Sequence, residues 1–210
     1  MRLPVYLLAA CALAAPARAA DLVVTLTTPA GKPVSNAVVT VRPQGGAPRG
    51  AIRFPWPYVM AQKDMQFEPF VLIVPVGADV SFPNLDSYRH HVYSFSPAKT
   101  FELKLYSKDE TRVVRFDKAG VVVLGCNIHD NMSAYVRVVD TPFAAKSNAS
   151  GQAELHDLPA GAATVTIWHP FLKSHNGEDT REITAPAGGG ALRLAVSVDL
   201  RNTPLRHGGY

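Results

Sequence analysis

Two valine-rich segments, LVVTLTT and AVVTVRP, occupy Leu22 to Pro43 and flank the turn Pro29-Ala30-Gly31-Lys32-Pro33. From Phe67 to Asp140 the runs FVLIVPV, ADVSF, HHVYSFS, RVVRFD, VVVLG and AYVRVVD follow one another. Their Val-Val and Val-x-Val cores predict strands covered on at least one face. After Thr141 comes a turn-rich stretch, SNASGQAELHDLPAGAATVTIW, and then a clean alternation of Leu192, Leu194, Val196, Val198 and Leu200. That alternation predicts a half-buried strand. Beyond the first 20 residues no 3.6-residue period of useful length occurs. Gly188-Gly189-Gly190 and the tail after Asn202 are expected to be loose, and the fold class is all-β.

Composition adds bounds. The 210 residues suffice for one large or two small domains, and with 47% apolar and only 18% charged residues a buried core is expected. Arg2, the apolar stretch Val5 to Ala15 and Ala17-Arg18-Ala19 together read as a signal peptide over residues 1–19, cut at an A-x-A site. This predicts export to the periplasm. The stretch is too short to span a bilayer, so no stable membrane insertion is expected. Leu8-Ala9-Ala10-Cys11 offers a lipoprotein alternative, disfavoured by the short apolar run before Cys11. Loss of Arg2 and Arg18 leaves 19 basic against 17 acidic residues, so the net charge drops from +4 to +2, which gives no case for nucleic-acid binding. Cys11 leaves as well, and Cys126 becomes the single cysteine of a chain bound for an oxidising compartment. Such a thiol is either buried and inert or chemically employed.

Its neighbours decide. Gly125-Cys126-Asn127-Ile128-His129-Asp130-Asn131-Met132 spaces Cys, His and Met three residues apart, on one short loop between two predicted strands. Thiolate, imidazole and thioether form a soft donor set suited to copper and unsuited to Mg²⁺ or Ca²⁺. A trigonal His₂Cys site with a long axial Met needs one further histidine. His90 and His91 supply it 36 and 35 residues upstream, where the polar turn from Pro83 to Arg89 opens into a strand. Side chains alternate along a strand, so one of the two faces the site. Zinc is less well served, because Met is a poor zinc ligand. A Cys126–His129 nucleophile would need an orienting partner at a meaningful spacing, and none is evident. No His-x-His or His-Cys-His pair occurs, so the sequence encodes no additional copper centre.

The pattern of ADVSFPNLD, His90 with Val92, and Cys126-x-x-His129-x-x-Met132 resembles the cupredoxin family over residues ~65–140. Its Cys-x2-His-x2-Met spacing is similar to that of the amicyanins. The phrase HHVYSFSPAKTFELKLY with GCNIHDNM also resembles bacterial proteins grouped as plastocyanin-like or methylamine-utilization-type. The resemblance implies a Greek-key β-sandwich holding one type 1 (blue) copper, with His90, rather than His91, joining Cys126, His129 and Met132 as ligands. It implies a single-electron carrier rather than an enzyme, with a redox protein such as a cytochrome c or a dehydrogenase as partner. The alternative function is copper binding or delivery in the cell envelope.

The two ends of the chain carry a second resemblance. Thr28 to Val39 is similar to the opening hairpin of carboxypeptidase-regulatory-like (prealbumin-like) sandwiches, and Ser147 to Leu155 with Leu158-Pro159-Ala160-Gly161 to their closing half. Neither half has enough strands to bury a core alone. The expected organisation is therefore a discontinuous sandwich over 21–42 and 141–203, a linker over 43–57, and an inserted cupredoxin domain over 58–140. Phe54-Pro55-Trp56-Pro57-Tyr58 reads as a packed strap, and Phe101, Leu103, Leu105 and Tyr106 as a core edge. His169 reads as structural, with a weak accessory site shared with His175 as the lesser alternative.

Overall fold

The computed structural model describes residues 18–48, 50–129 and 131–201. Residues 1–17 of the expected signal segment and the tail from residue 202 lie outside them, while Arg18 and Ala19 are the first residues of a strand. The described chain is all-β, in the order β1 (Arg18–Thr27), β2 (Val38–Pro43), β3 (Ala61–Lys63), β4 (Gln66–Glu68), β5 (Val71–Pro75), β6 (Ala78–Pro83), β7 (His90–Ser96) and β8 (Lys99–Tyr106). It continues with β9 (Thr111–Phe116), β10 (Gly120–Cys126), β11 (Ser133–Val139), β12 (Ala144–Lys146), β13 (Gln152–Leu158), β14 (Gly161–Trp168), β15 (Glu178–Ala185) and β16 (Gly188–Ser197). Only one turn of 3-10 helix, His175–Gly177, interrupts the strands among the described residues.

Strands from the two ends of the chain pair with each other. One sheet runs β13-β1-β16 and another β12-β2-β14-β15. Leu22, Val24 and Leu26 of β1 meet Val39 and Val41 of β2 and Val165 and Ile167 of β14 in one buried core. Between these ends, the sheet β5-β11-β10-β7-β8 faces the pair β6-β9. Leu72, Val74, Val122, Leu124, Val136 and Val138 from the larger sheet close on Val80, Phe82, Val114 and Phe116 from the smaller one. This middle sandwich is carried within a split one.

The continuous apolar runs have a specific cause. Along β5, Leu72 and Val74 enter the middle core, whereas Val71 and Ile73 face a third cluster with Val38 and Trp168 of the split sandwich. Along β11, Ala134, Val136 and Val138 point inward, whereas Tyr135 and Val139 point to the same third cluster. Alternating side chains are thus buried on both faces because one sandwich lies against the other. Lys146 extends from β12 to donate to the Val71 carbonyl (2.9 Å).

Segment 43–57, expected to be a linker, is packed at its end. Phe54 and Trp56 stack with centroids 4.8 Å apart and planes 2° from parallel, and Trp56 Nε1 donates to the Ile73 carbonyl at 2.8 Å. The strap reading describes this end of the segment. The three glycines 188–190 are ordered in β16, where Gly188 and Gly190 pair in parallel with Arg18 and Ala20 of β1. The expectation that they are loose is corrected: backbone pairing to β1 needs no side chain. Two further elements carry no clear sequence signal, namely the hairpin β3-β4 and the polar edge strand β15.

Candidate metal centre

Cys126 is the last residue of β10, and pairing of β10 with β7 sets Gly125 opposite Tyr93 and Cys126 opposite Val92. That register brings the start of β7, and so His90, beside the thiol. A register shift between His90 and Val92 on the β8 side gives His90 and His91 different surroundings although both are buried. His90 is 0% exposed and directs Nδ1 to Cys126 Sγ at 3.9 Å. His91 turns away, with Nε2 3.0 Å from Glu102 Oε1 and its ring against Tyr93.

The loop after β10 returns His129 to the same place. Its Nδ1 lies 3.8 Å from Cys126 Sγ, and its ring centroid is 5.1 Å from that of His90. Met132 closes the loop by donating its backbone N–H to the His129 carbonyl at 3.0 Å. Its side chain, 2% exposed, joins the core cluster that also contains Cys126 at 5%. His129 is the partly exposed member of the set, next to the exposed Ile128. Burial, and after it the neighbouring His90, hold its pKa below the ordinary histidine value.

The structure therefore brings together His90, Cys126 and His129, whose donor atoms all lie within 4.8 Å of one another. Nitrogen and sulfur ligands at about 2.0–2.3 Å from one ion would be roughly 3.6–3.8 Å apart. The N···S separations of 3.9 and 3.8 Å are of the size that a shared ion requires. Chemistry agrees with geometry: one thiol and two imidazole nitrogens, with the buried Met132 on the same loop, form a soft set that fits copper. A surface groove of about 360 Å³, lined by Tyr93, Phe95, Val123, Cys126 and Met132, runs along the sheet beside this group.

One functional neighbour is missing from the sequence reading. Asp86, four residues before His90, places Oδ2 2.7 Å from His90 Nε2. It also accepts the backbone N–H groups of Asp64 (2.6 Å) and Met65 (2.9 Å). Burial alone would raise its pKa, yet the hydrogen bonds from Met65, His90 and Asp64 hold it below the ordinary carboxylate value. The sequence signal was the Asn84-Leu85-Asp86 turn, whose use becomes visible only when β3 and β4 fold over it.

His169, by contrast, accepts the Phe171 N–H on Nδ1 (3.2 Å) and is buried. Burial lowers its pKa to about 4, and a backbone hydrogen bond with Ser35 opposes that shift. These contacts give it a structural place.

No family model and no curated protein matches this chain. Solved structures similar to part of it include a purple cupredoxin from Nitrosopumilus maritimus (22% identity, 39% of this chain and 98% of that one, TM-score 0.35). A variant of amicyanin in its reduced form is also similar (22% identity, 50% and 99% coverage, TM-score 0.37). So is a copper-containing nitrite reductase from Thermus scotoductus SA-01 (25% identity, 57% of this chain and 28% of that one, TM-score 0.38). With TM-scores below 0.5, what the site can hold rests on the site's own residues. Those residues are a His-Cys-His group on the middle sandwich of an all-β protein, with His90 and Cys126 buried and His129 partly exposed.

Proposed function

We propose that the site binds one type 1 copper ion, which His90, Cys126, His129 and Met132 would hold, and that the protein carries single electrons between periplasmic redox partners. The observation that carries this reading is the convergence of two imidazole Nδ1 atoms on one buried thiol. Bound there, copper would supply a one-electron couple. The chain's own residues do the rest. β7 and β10 hold His90 and Cys126 in place, and His90, Cys126 and Met132 are buried. With four protein donors no position is left open for a substrate, which favours a carrier over an enzyme. The partly exposed His129, flanked by Ile128, is the edge at which a cytochrome c or dehydrogenase would approach. The periplasmic assignment rests on the A-x-A segment at residues 17–19. No helix among the described residues is long and apolar enough to cross a membrane.

The test is the visible spectrum of the Cu(II)-loaded protein. An intense sulfur-to-copper charge-transfer band that vanishes in Cys126→Ser supports the reading. A colourless protein that binds no copper tightly refutes it. A blue protein with immeasurably slow electron exchange leaves copper delivery as the function.

A further inference from the structure

His90 is anchored from behind. Its two ring nitrogens face different groups: Nδ1 faces Cys126 Sγ, and Nε2 faces Asp86 Oδ2 at 2.7 Å. An ionised carboxylate can only accept hydrogen bonds, so Nε2 must carry the ring proton and donate it. Nδ1 is then left with its lone pair, directed toward the proposed metal position. From this we infer that Asp86 is a positioning residue for copper: it selects the metal-binding tautomer of His90, fixes the ring plane, and strengthens the imidazole as a donor to Cu(II). The inference rests on the copper reading above.

The surroundings of Asp86 are built for the task. Oδ1 accepts the Asp64 N–H, and Oδ2 accepts the Met65 N–H together with His90 Nε2–H. Asp64 and Met65 have φ of 53° and 55° and form the two-residue turn of the β3-β4 hairpin. Positive φ at both positions is the geometry of a type I′ turn, which here directs two adjacent N–H groups at one carboxylate. The loop behind Asp86 is fixed as well. Asn84, fully buried, accepts the Asp86 N–H on Oδ1 (2.9 Å) and donates Nδ2 to the carbonyls of Tyr88 (2.7 Å) and Tyr106 (3.0 Å). The Leu85 N–H donates to the Gln62 carbonyl at 2.9 Å. A carboxylate pinned on three sides has no freedom to leave the imidazole.

A carboxylate behind a metal-bound imidazole fixes its tautomer and raises its basicity, and loss of such a partner costs 10–100-fold in metal affinity. Greater basicity and the added negative charge favour Cu(II) over Cu(I). The experiment compares wild type with Asp86→Asn and Asp86→Ala, measuring Cu(II) and Cu(I) affinity by chelator competition, the reduction potential, and thermal unfolding of the metal-free proteins. The expected result is a roughly 10–100-fold loss of Cu(II) affinity, a smaller loss for Cu(I), and a potential raised by ~59 mV for each tenfold change in their ratio. Variants that are less stable without metal but keep wild-type affinities and potential assign Asp86 a purely structural role and overturn the inference. A wild-type protein that binds no copper overturns the parent reading with it, whereas a blue wild type with an unaltered Asp86→Asn overturns the inference alone. If the variants do not fold, the Cu(I)-loaded wild type answers by NMR. A slowly exchanging Nε2–H proton on His90 supports the inference, and a ring protonated at Nδ1 overturns it.

Discussion

Arg137 of β11 reaches across from the middle sandwich to Glu178 of β15, with Nη2 2.5 Å from Oε1. The same guanidinium lies over the ring of Trp168, 5.8 Å from its centroid. Arg137 sits on the face of β11 shared with Tyr135 and Val139, so with Lys146 it sets a charge into the largely apolar contact between the sandwiches. Its side chain is 13% exposed, and its Nε has no hydrogen-bond partner among the described residues.

Removing Glu178 would leave that cation uncompensated. Breaking a fully buried pair costs about 3–5 kcal/mol. Since Glu178 is one-third exposed, Glu178→Gln is expected to lose about 1–2 kcal/mol in urea denaturation. Asp179→Asn, which breaks the more exposed Arg181–Asp179 pair on the same strand, should change stability by less than ~0.5 kcal/mol. Equal losses in the two variants would contradict the role given to Arg137.

Gly125 lies directly opposite Tyr93, and a Cβ there would meet the Tyr93 ring at 2.6 Å. The ring end can swing toward the groove, so Gly125→Ala is expected to cost about 1 kcal/mol, the low end for overpacking. Adding Tyr93→Ala should restore part of that loss, giving a coupling of about 0.5 kcal/mol or more in a double-mutant cycle. Strict additivity of the two changes would rule the clash out.

His169 makes stability depend on pH. Its folded pKa, about 4 through burial, lies below the ~6.5 of an unfolded histidine. Between these values the unfolded chain takes up a proton that the folded one refuses, so stability falls as pH drops from about 6.5 toward 4. The full effect is on the order of 3 kcal/mol. In denaturation series the stability of wild type relative to His169→Gln should fall as pH drops across this window and level off on both sides. A constant difference from pH 7 to 4 would show that His169 is not held neutral.

The two adjacent histidines are separable by substitution. His90→Asn should abolish the charge-transfer band and tight copper binding, because Nδ1 of His90 faces the thiol. His91→Asn should keep both, because its ring faces Glu102 and Tyr93. Loss of colour in His91→Asn alone would reverse the assignment.

Local patterns were readable and distant ones were not. Cys126, His129 and Met132 share one loop, so their spacing alone suggests chemistry. The choice between His90 and His91 depends on how β7 meets β10 and β8, which no local pattern encodes. Asp86 was hidden for a related reason, since its partners at Asp64 and Met65 belong to a hairpin of two three-residue strands. Strand β8 carries Lys99, Glu102 and Lys104 among its apolar residues because it is the edge of its sheet. Charged residues are common at edges, where they discourage pairing with other chains. The unbroken run of β5 was legible as a buried strand, but that its second face meets another sandwich emerges only from packing.

The split sandwich also sets an order of events in time. β1 pairs with β13 and β16, and β2 with β12 and β14, so every strand that pairs with these two lies beyond residue 143. Strands β3 to β11 pair among themselves. During synthesis the middle sandwich can close while two valine-rich strands behind it still present bare N–H and C=O groups. At about 5–20 residues per second, the wait for the last strand is on the order of several seconds. For that interval the first-made strands of the chain are the ones most exposed to a wrong partner.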